Sequence, residues 1–138
     1  MPALDTNILV RYLVADDRNQ FQLAKAYIEE AVREEALFIP LSVSVELEWV
    51  LRSLYKLDKP TILKIFNQLL ETREIEFHEE SSIEISLSLY SDNNTDFADC
   101  LHIASAYCNK RVPLVTFDRK ASRVTDASPR LVTAYPNE

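Results

Sequence analysis

The chain alternates short apolar runs with longer segments in which apolar residues recur every three or four positions. The short runs at residues 3–4, 37–39, 75–77 and 113–117 predict β-strands, and residues 131–133 predict a last edge strand. The periodic segments between them predict amphipathic helices. Strands that alternate with helices, without tight hairpins, indicate βαβ units and a parallel sheet.

Six helices follow from this periodicity. Their predicted apolar stripes lie at Ile8–Leu13, Phe21–Val32, Val43–Leu54, Ile62–Leu70, Ile85–Leu89, and from Asp96 to about Lys110. Thr6 is expected to cap the first helix, and Pro60 suits the first turn of the fourth. A chain of 138 residues is long enough for one compact core, so a single domain over residues 1–138 is expected.

Four acidic residues fall where a parallel α/β fold would gather them. Asp5 and Asp118 each follow an apolar run that is predicted to be a buried strand. Glu46 and Asp99 each lie on a predicted helix beside its apolar stripe. Sites in open α/β sheets lie beyond the carboxyl ends of the strands. Because carboxylates gathered without a cation repel one another, such a cluster predicts a bound divalent metal ion.

Each acid also has a purely structural explanation. Aspartate is common as a cap at strand-to-helix junctions, although the next residue is the better-placed cap, so the Asp5 carboxylate is expected to stay free. Glu46 could pair with an arginine beside the core, whereas Glu48 is expected to face solvent. Asp96 and Asp99 would be stabilised at a helix start by the helix dipole. The acids therefore become informative only as a set.

Composition excludes several classes of protein. The chain contains no glycine, which rules out a Walker loop and a dinucleotide-binding fingerprint. The net charge of -7 argues against a broadly basic nucleic-acid-binding surface. Charge is nevertheless uneven, because residues 110–130 are rich in Lys and Arg. These basic residues are read as solvated surface, with a phosphate-contacting rim around Asp118 as the alternative.

The two cysteines, Cys100 and Cys108, fall on one predicted helix. Eight residues of helical rise separate them by roughly 12 Å, which is too far for a disulfide between them. A reduced, cytoplasmic setting is therefore favoured over a secreted one. The sequence shows no N-terminal signal pattern and no apolar run long enough to span a membrane, so no membrane association is expected.

The residues around the acids resemble the PIN-domain ribonucleases, most closely the VapC toxins of bacterial and archaeal toxin–antitoxin pairs. The resemblance covers almost the whole chain and rests on the blocks LDTNILVRYL, SVELEWVLRS, DFADCLHIASA and LVTFDRKA. It implies an α/β, PIN-like three-layer α/β/α fold with a mainly parallel central sheet of four to five strands. The glycine usual in the family before the DFAD block is replaced here by Asn93-Asn94-Thr95.

The resemblance also implies site residues. The family's catalytic and metal-binding acids correspond to Asp5, Glu46, Asp99 and Asp118. Asp96 corresponds to a supporting acid, and Thr6 and Thr116 correspond to hydroxyl positions that support the acidic pocket. Our hypothesis is that Asp5 and Asp99 hold the main metal ion. The other two acids would then position a second ion or the attacking water.

The function implied by this resemblance is a Mg²⁺- or Mn²⁺-dependent endoribonuclease that acts as a toxin. Its implied partners are an RNA substrate, a cognate antitoxin and a second copy of the chain in a homodimer. The alternative is a non-toxin or catalytically silent PIN-like domain that serves as an RNA- or protein-interaction module. Retention of all the acids favours the enzyme. Candidates for an RNA-contacting rim are Arg11, Arg52, Arg119 and Lys120.

Overall fold

The structure, a computed structural model, describes residues 1–124 and 129–131. Its elements in chain order are α1 (Thr6–Val14), α2 (Arg18–Ala31), β1 (Leu37–Ile39), α3 (Leu41–Ser53), α4 (Lys59–Glu71), β2 (Ile75–Phe77), α5 (Glu80–Asp92), α6 (Phe97–Cys108), β3 (Val115–Thr116), α7 (Arg119–Ser122) and β4 (Arg130–Leu131). They fall into two compact units, Met1–His78 and Glu79–Glu138. The expectation of a single domain over residues 1–138 stays a prediction.

The strands of the first unit are parallel. β1 pairs with β2 in a register that places Leu37 opposite Ile75 and Ile39 opposite Phe77, and all four side chains are buried. The predicted strand at residues 3–4 is reduced to a parallel bridge between Ala3 and Phe38. These pairings confirm the parallel α/β organisation for this part of the chain.

Helices α1 to α4 bury one face each. Their fully or nearly fully buried apolar residues include Leu9, Val10, Ala24, Ile28, Leu47, Leu51, Ile62 and Phe66. Asp17 caps α2 by accepting the Gln20 N–H, and Asp58 caps α4 by accepting the Thr61 N–H. Pro60 lies in the first turn of α4, as predicted. The starts of α2 and α4 are thus encoded locally.

The cap of α1 differs from the prediction. Asp5 is the N-cap, and its Oδ1 accepts the Thr6 N–H at 2.8 Å. Thr6 lies inside the helix and is buried. Asp5 has an extended backbone, from which its carboxylate reaches a helix N–H, so the prediction of a free carboxylate is wrong.

The buried face of α3 also differs from the prediction. Glu48 is buried and Glu46 is exposed, the reverse of what the apolar stripe suggested. The face that packs inward contains Ser44, Leu47, Glu48 and Leu51, which follow the spacing i, i+3, i+4 and i+7. Arg52, one turn after Glu48, places its Nε 2.8 Å from the buried carboxylate and balances its charge.

A polar network joins α1, α2 and the residues after α3. The Arg11 Nη1 lies 3.1 Å from Asp16 Oδ1 and donates to the Tyr55 hydroxyl at 2.9 Å. That hydroxyl in turn donates to Asp16 Oδ2 at 2.9 Å, while Arg11 Nε donates to Gln20. The hydrogen bond from Tyr55 lowers the pKa of Asp16, with further lowering from Arg11 against opposing desolvation. Arg11 is therefore engaged within its own unit.

The second unit is built on α5 and α6, which pack against each other. Tyr90 of α5 and Phe97 of α6 meet edge to face, with ring centroids 5.5 Å apart. β3 pairs with β4 in parallel, with Val115 opposite Arg130. The short helix α7, which the apolar pattern did not predict, begins directly after Asp118.

The predicted strand at residues 113–117 is largely wrong. Only Val115 and Thr116 form a strand, and Val115 is 57% exposed. Phe117 is 75% exposed, so the residues before Asp118 are not a buried strand. Short paired strands leave these apolar side chains without a covering layer. The predicted edge strand at 131–133 is observed only at Leu131, because residues 132–133 lie outside the described ranges.

The chain contains no glycine, so residues of other types adopt the left-handed backbone conformation in the described part of the chain. They are Ala15, Lys56, Glu79 and Lys110, with φ angles of 57°, 57°, 53° and 56°. Ala15 ends α1 in this conformation and donates its N–H to the Arg11 carbonyl. None of the helices in the described ranges is both long and apolar enough to cross a membrane.

The network around Arg11 gives a prediction for stability. Tyr55→Phe removes the hydroxyl that lowers the pKa of Asp16, so that pKa should move up towards its ordinary value of about 3.8. A lowered carboxyl pKa stabilises the fold above the unfolded-state pKa, and this gain is lost as the pH falls through the folded-state pKa. The variant should unfold at lower urea concentration at neutral pH.

Urea unfolding of wild type and Tyr55→Phe at about pH 7 and about pH 2.5 measures this effect. The difference between the two proteins should shrink at the acidic pH. Tyr27→Phe, which removes an exposed hydroxyl from α2, is the control and should unfold as wild type does. Equal midpoints for wild type and Tyr55→Phe at neutral pH would contradict a stabilising role for the network.

Candidate metal and active site

The second unit brings three of the predicted acids into electrostatic contact. Asp96 stands at the N-cap position of α6 and Asp99 lies in its first turn. Asp118 stands at the N-cap position of α7. Asp96 and Asp118 are exposed, whereas Asp99 is half-buried. All three carboxylates therefore sit at the starts of helices, where the helix dipole favours negative charge.

The pKa of Asp99 is raised. Its partial burial is the largest cause, and the charge of Asp118 is the next. His102 opposes the shift, and Asp96 adds to it. Burial and like charges together make the ionised form of Asp99 costly when no cation is nearby. This is the electrostatic condition that a divalent cation relieves.

Asp118 is held by backbone hydrogen bonds. Its Oδ1 accepts the Ala121 N–H at 2.8 Å, and its own N–H donates to Thr116 Oγ1 at 2.9 Å. Thr116 thus supports the acid through the backbone. One N–H uses only part of the accepting capacity of a carboxylate, which has about four lone-pair sites. The group is oriented and still able to bind a cation.

The first unit contains the other two predicted acids. Asp5 is exposed at the start of α1, with its Oδ1 held by the Thr6 N–H. Glu46 is exposed on α3, which packs against α1. The hydroxyl oxygens of Thr6 and Ser44 are both buried, and neither has a hydrogen-bond partner among the described residues. Because buried hydroxyls normally have a partner, each of these two oxygens has unused capacity for a hydrogen bond.

Sequence reasoning missed Ser44. The signal was available in the spacing of Ser44, Leu47, Glu48 and Leu51, which defines one helical face, but the apolar stripe was traced through Val50 and Leu54 instead. Leu54 is 64% exposed. A polar residue inside a correctly traced buried face indicates either a satisfied hydroxyl or a functional one.

The donor chemistry of these acids fits a hard divalent cation, since Mg²⁺ and Mn²⁺ prefer carboxylate and water oxygens. Within neither unit, however, do the described residues bring three His, Cys, Asp or Glu groups close enough to hold an ion. Coulombic coupling extends beyond coordination distance, so the charges of Asp118 and Asp96 contribute to the raised pKa of Asp99 although the three carboxylates do not form a closed ligand cluster in the described part of the chain. The acids therefore have the charge that a divalent cation requires. Within either unit, however, the described residues do not form a complete set of metal ligands.

A groove with a volume of about 440 Å³ lies between α1 and α2. It is lined by Asn7, Ile8, Arg11, Gln20, Leu23, Ala24 and Tyr27. No carboxylate is among these lining residues, so the groove is not where the predicted acids lie. Arg11 and Arg52 both pair with acids of their own unit, which weakens their assignment to an RNA-contacting rim.

Two comparisons with known proteins bear on this arrangement. The family profile of the PIN domain matches residues 3–127. The chain is also similar to a VapC ribonuclease from Aquifex aeolicus (strain VF5), with 25% identity over 124 residues. That alignment covers 90% of this chain and 92% of the relative. The family match spans all five predicted acids.

The raised pKa of Asp99 gives a prediction for stability. Below its ordinary value of about 3.8 the carboxyl is protonated in both the folded and the unfolded state. As the pH rises, the unfolded state ionises first, so the wild-type fold loses stability relative to a variant that cannot ionise. Without added metal, Asp99→Asn should therefore melt a few degrees above wild type near neutral pH.

Thermal melting of both proteins between about pH 3.5 and about pH 7.5 measures this difference, which should vanish at the acidic end. Asp92→Asn, at the exposed end of α5, is the matched control and should follow wild type. If wild type and Asp99→Asn melt in parallel over the whole range, the repulsion around Asp99 is not significant.

Proposed function

The chain belongs to the PIN-domain family, and from this premise we propose that it is a VapC-type endoribonuclease that hydrolyses RNA phosphodiester bonds with Mg²⁺ or Mn²⁺. The observation that carries the proposal is the electrostatic coupling of Asp99 to Asp118 and Asp96, because the partial burial of Asp99 and then these two like charges raise its pKa. The similarity to a relative that is named a VapC ribonuclease supports the same activity.

In this proposal Asp5 and Asp99 hold the main metal ion, with Asp96 in support. When bound, the metal lowers the pKa of a water molecule and stabilises charge that develops on the phosphate. Glu46 and Asp118 orient the attacking water or hold a second ion. Asp5 and Asp118 are suited to these roles because a backbone N–H fixes one oxygen of each carboxylate before substrate arrives.

The proposal extends to partners and setting. We propose a single PIN domain, a homodimer and a cognate antitoxin that neutralises a toxic activity. The charge of the acids gives such an antitoxin a reason to present Arg or Lys to them. A cytoplasmic location is proposed as well, in keeping with the free thiols of Cys100 and Cys108.

Asp5→Asn tests the metal site directly. Asparagine caps helices as well as aspartate does, so α1 and the melting temperature should be nearly unchanged. Loss of the charged ligand should reduce RNA cleavage by at least about a hundredfold, because even the outer partners of metal ligands are worth about 10- to 100-fold. Cleavage of total RNA with Mg²⁺ or Mn²⁺ is the measurement.

Asp17→Asn is the matched control, because Asp17 also stands at a helix N-cap, where its Oδ1 accepts the Gln20 N–H, and it is not among the proposed ligands. It should cleave as wild type does. Mn²⁺ should also raise the melting temperature of wild type and not of Asp5→Asn, since ligand binding to the folded state stabilises it. Undiminished cleavage by Asp5→Asn would remove Asp5 from the site. A wild type that neither cleaves RNA nor responds to the metal would favour the interaction module.

Glu46 and Glu48 form a second matched pair, two residues apart on α3. Glu46→Gln should lose cleavage and keep the wild-type stability, because the side chain is exposed. Glu48→Gln should keep cleavage and lose about 1–3 kcal/mol of unfolding free energy, since it weakens a buried, charge-assisted hydrogen bond to Arg52.

Cleavage assays and urea unfolding of both variants test whether Glu46 serves cleavage and Glu48 serves stability. The result that would count against it is the opposite pattern, in which Glu48→Gln abolishes cleavage at unchanged stability. Glu46→Gln with full cleavage would also exclude Glu46 from the chemistry.

A further inference from the structure

The charge of the chain is divided very unequally. Residues 110–130 contain six Lys or Arg and two Asp, a formal charge of +4 in a chain whose total is -7. The rest of the chain therefore carries -11. The basic segment contains β3, α7 and Asp118, all of which belong to the second unit.

The cations of this segment are exposed. They are Lys110, Arg111, Arg119, Lys120, Arg123 and Arg130. In the ranges that the structure describes, none of them forms an ion pair with a carboxylate. Cations elsewhere in the chain, such as Arg11, Arg33 and Arg52, do form such pairs. A local positive field within an acidic protein attracts a polyanion to that place in particular.

An exposed aromatic ring stands in the middle of this segment. Phe117 is 75% exposed, the largest value among the exposed large apolar side chains of the described residues. It lies between β3 and α7. Asp118 is the next residue in the sequence, and Arg119 follows Asp118. An exposed phenylalanine in a segment rich in unpaired cations offers a ring on which a base of a nucleic acid can stack.

Single-stranded RNA combines the two chemistries that this surface offers. Its phosphates bind Lys and Arg, and its unpaired bases stack on aromatic rings. We infer that Phe117 stacks on an unpaired base of the RNA substrate next to the scissile phosphodiester, while Arg119, Lys120 and Arg123 hold flanking phosphates. This inference rests on the proposed function and assigns Phe117 as a substrate-positioning residue.

The position of Phe117 gives the stacking a consequence for cleavage. Because the next residue is the proposed site acid Asp118, whose carboxylate is fixed by the Ala121 N–H, a base on Phe117 keeps the neighbouring phosphate near that acid. Stacking is tolerant of base identity, so this contact selects unpaired RNA over duplex RNA rather than one sequence over another.

Fluorescence anisotropy of the full chain with a labelled mixed-sequence single-stranded RNA, in EDTA to prevent cleavage, tests the stacking. Phe117→Leu keeps an apolar side chain and removes the ring, and it should weaken binding on the order of tenfold. Phe117→Trp should restore binding. Tyr27→Leu, which removes an exposed aromatic from α2 in the first unit, is the control and should bind as wild type does.

The salt dependence of binding distinguishes the contribution of the cations from that of base stacking. Arg119→Gln and Lys120→Gln should each make the logarithmic salt dependence of binding shallower by about 0.7, the value for one phosphate contact on a single strand. Phe117→Leu should leave that slope unchanged. Lys64→Gln, an exposed cation on α4, is the matched control. In cleavage assays, Phe117→Leu should raise KM by a larger factor than it lowers kcat.

The outcomes are distinct from those that test the proposed function. If wild type cleaves RNA and Phe117→Leu binds single-stranded RNA as tightly as wild type, the inference is overturned and the proposed function stands. If Phe117→Leu instead changes the sedimentation of the protein without changing RNA binding, the surface is a protein interface and the inference is again overturned. If wild type binds RNA through Phe117 without cleaving it, the stacking is supported and the proposed function fails.

Discussion

Hydrogen bonds from helix N-termini to aspartate carboxylates are the interaction on which this structure depends. Four helices begin in this way, and the capping residues are Asp5, Asp17, Asp58 and Asp118. In a chain without glycine, these caps define where the backbone turns from extended to helical. Two of them are also predicted site acids. In the proposed function, the bond that starts the helix therefore also orients a carboxylate of the acidic site.

Charge separation is the second organising feature. Acids at the helix starts oppose one another, as the raised pKa of Asp99 shows, while the exposed cations of residues 110–130 remain without ion pairs in the described part of the chain. An acidic centre beside a basic rim suits a substrate that carries phosphates to a metal ion, since each region attracts a different charge. Phe117 adds the apolar contact that phosphates alone cannot provide.

Predictions from the sequence agree with the structure where the feature depends only on residues that are close together in the chain. Helices α1 to α6 were predicted well because their apolar periodicity is local, as is the signal of Pro60 in the first turn of α4. The face of α3 was predicted wrongly because its burial includes Ser44 and Glu48, and the ion pair with Arg52 helps to make a buried glutamate tolerable. The strand before Asp118 was overpredicted, since an apolar run does not reveal whether another layer covers it.

The sequence by itself determined the order of helices α1 to α6, the parallel α/β class, the family and the choice of the five candidate acids, because periodicity and motif spacing lie within short stretches of chain. The tertiary structure alone decided that Asp5 caps α1, that Glu46 rather than Glu48 is exposed, and that Asp99 interacts with Asp118. It also decided that Phe117 is uncovered. These properties depend on which surfaces residues distant in sequence bring together, and burial and Coulombic coupling arise only from that packing.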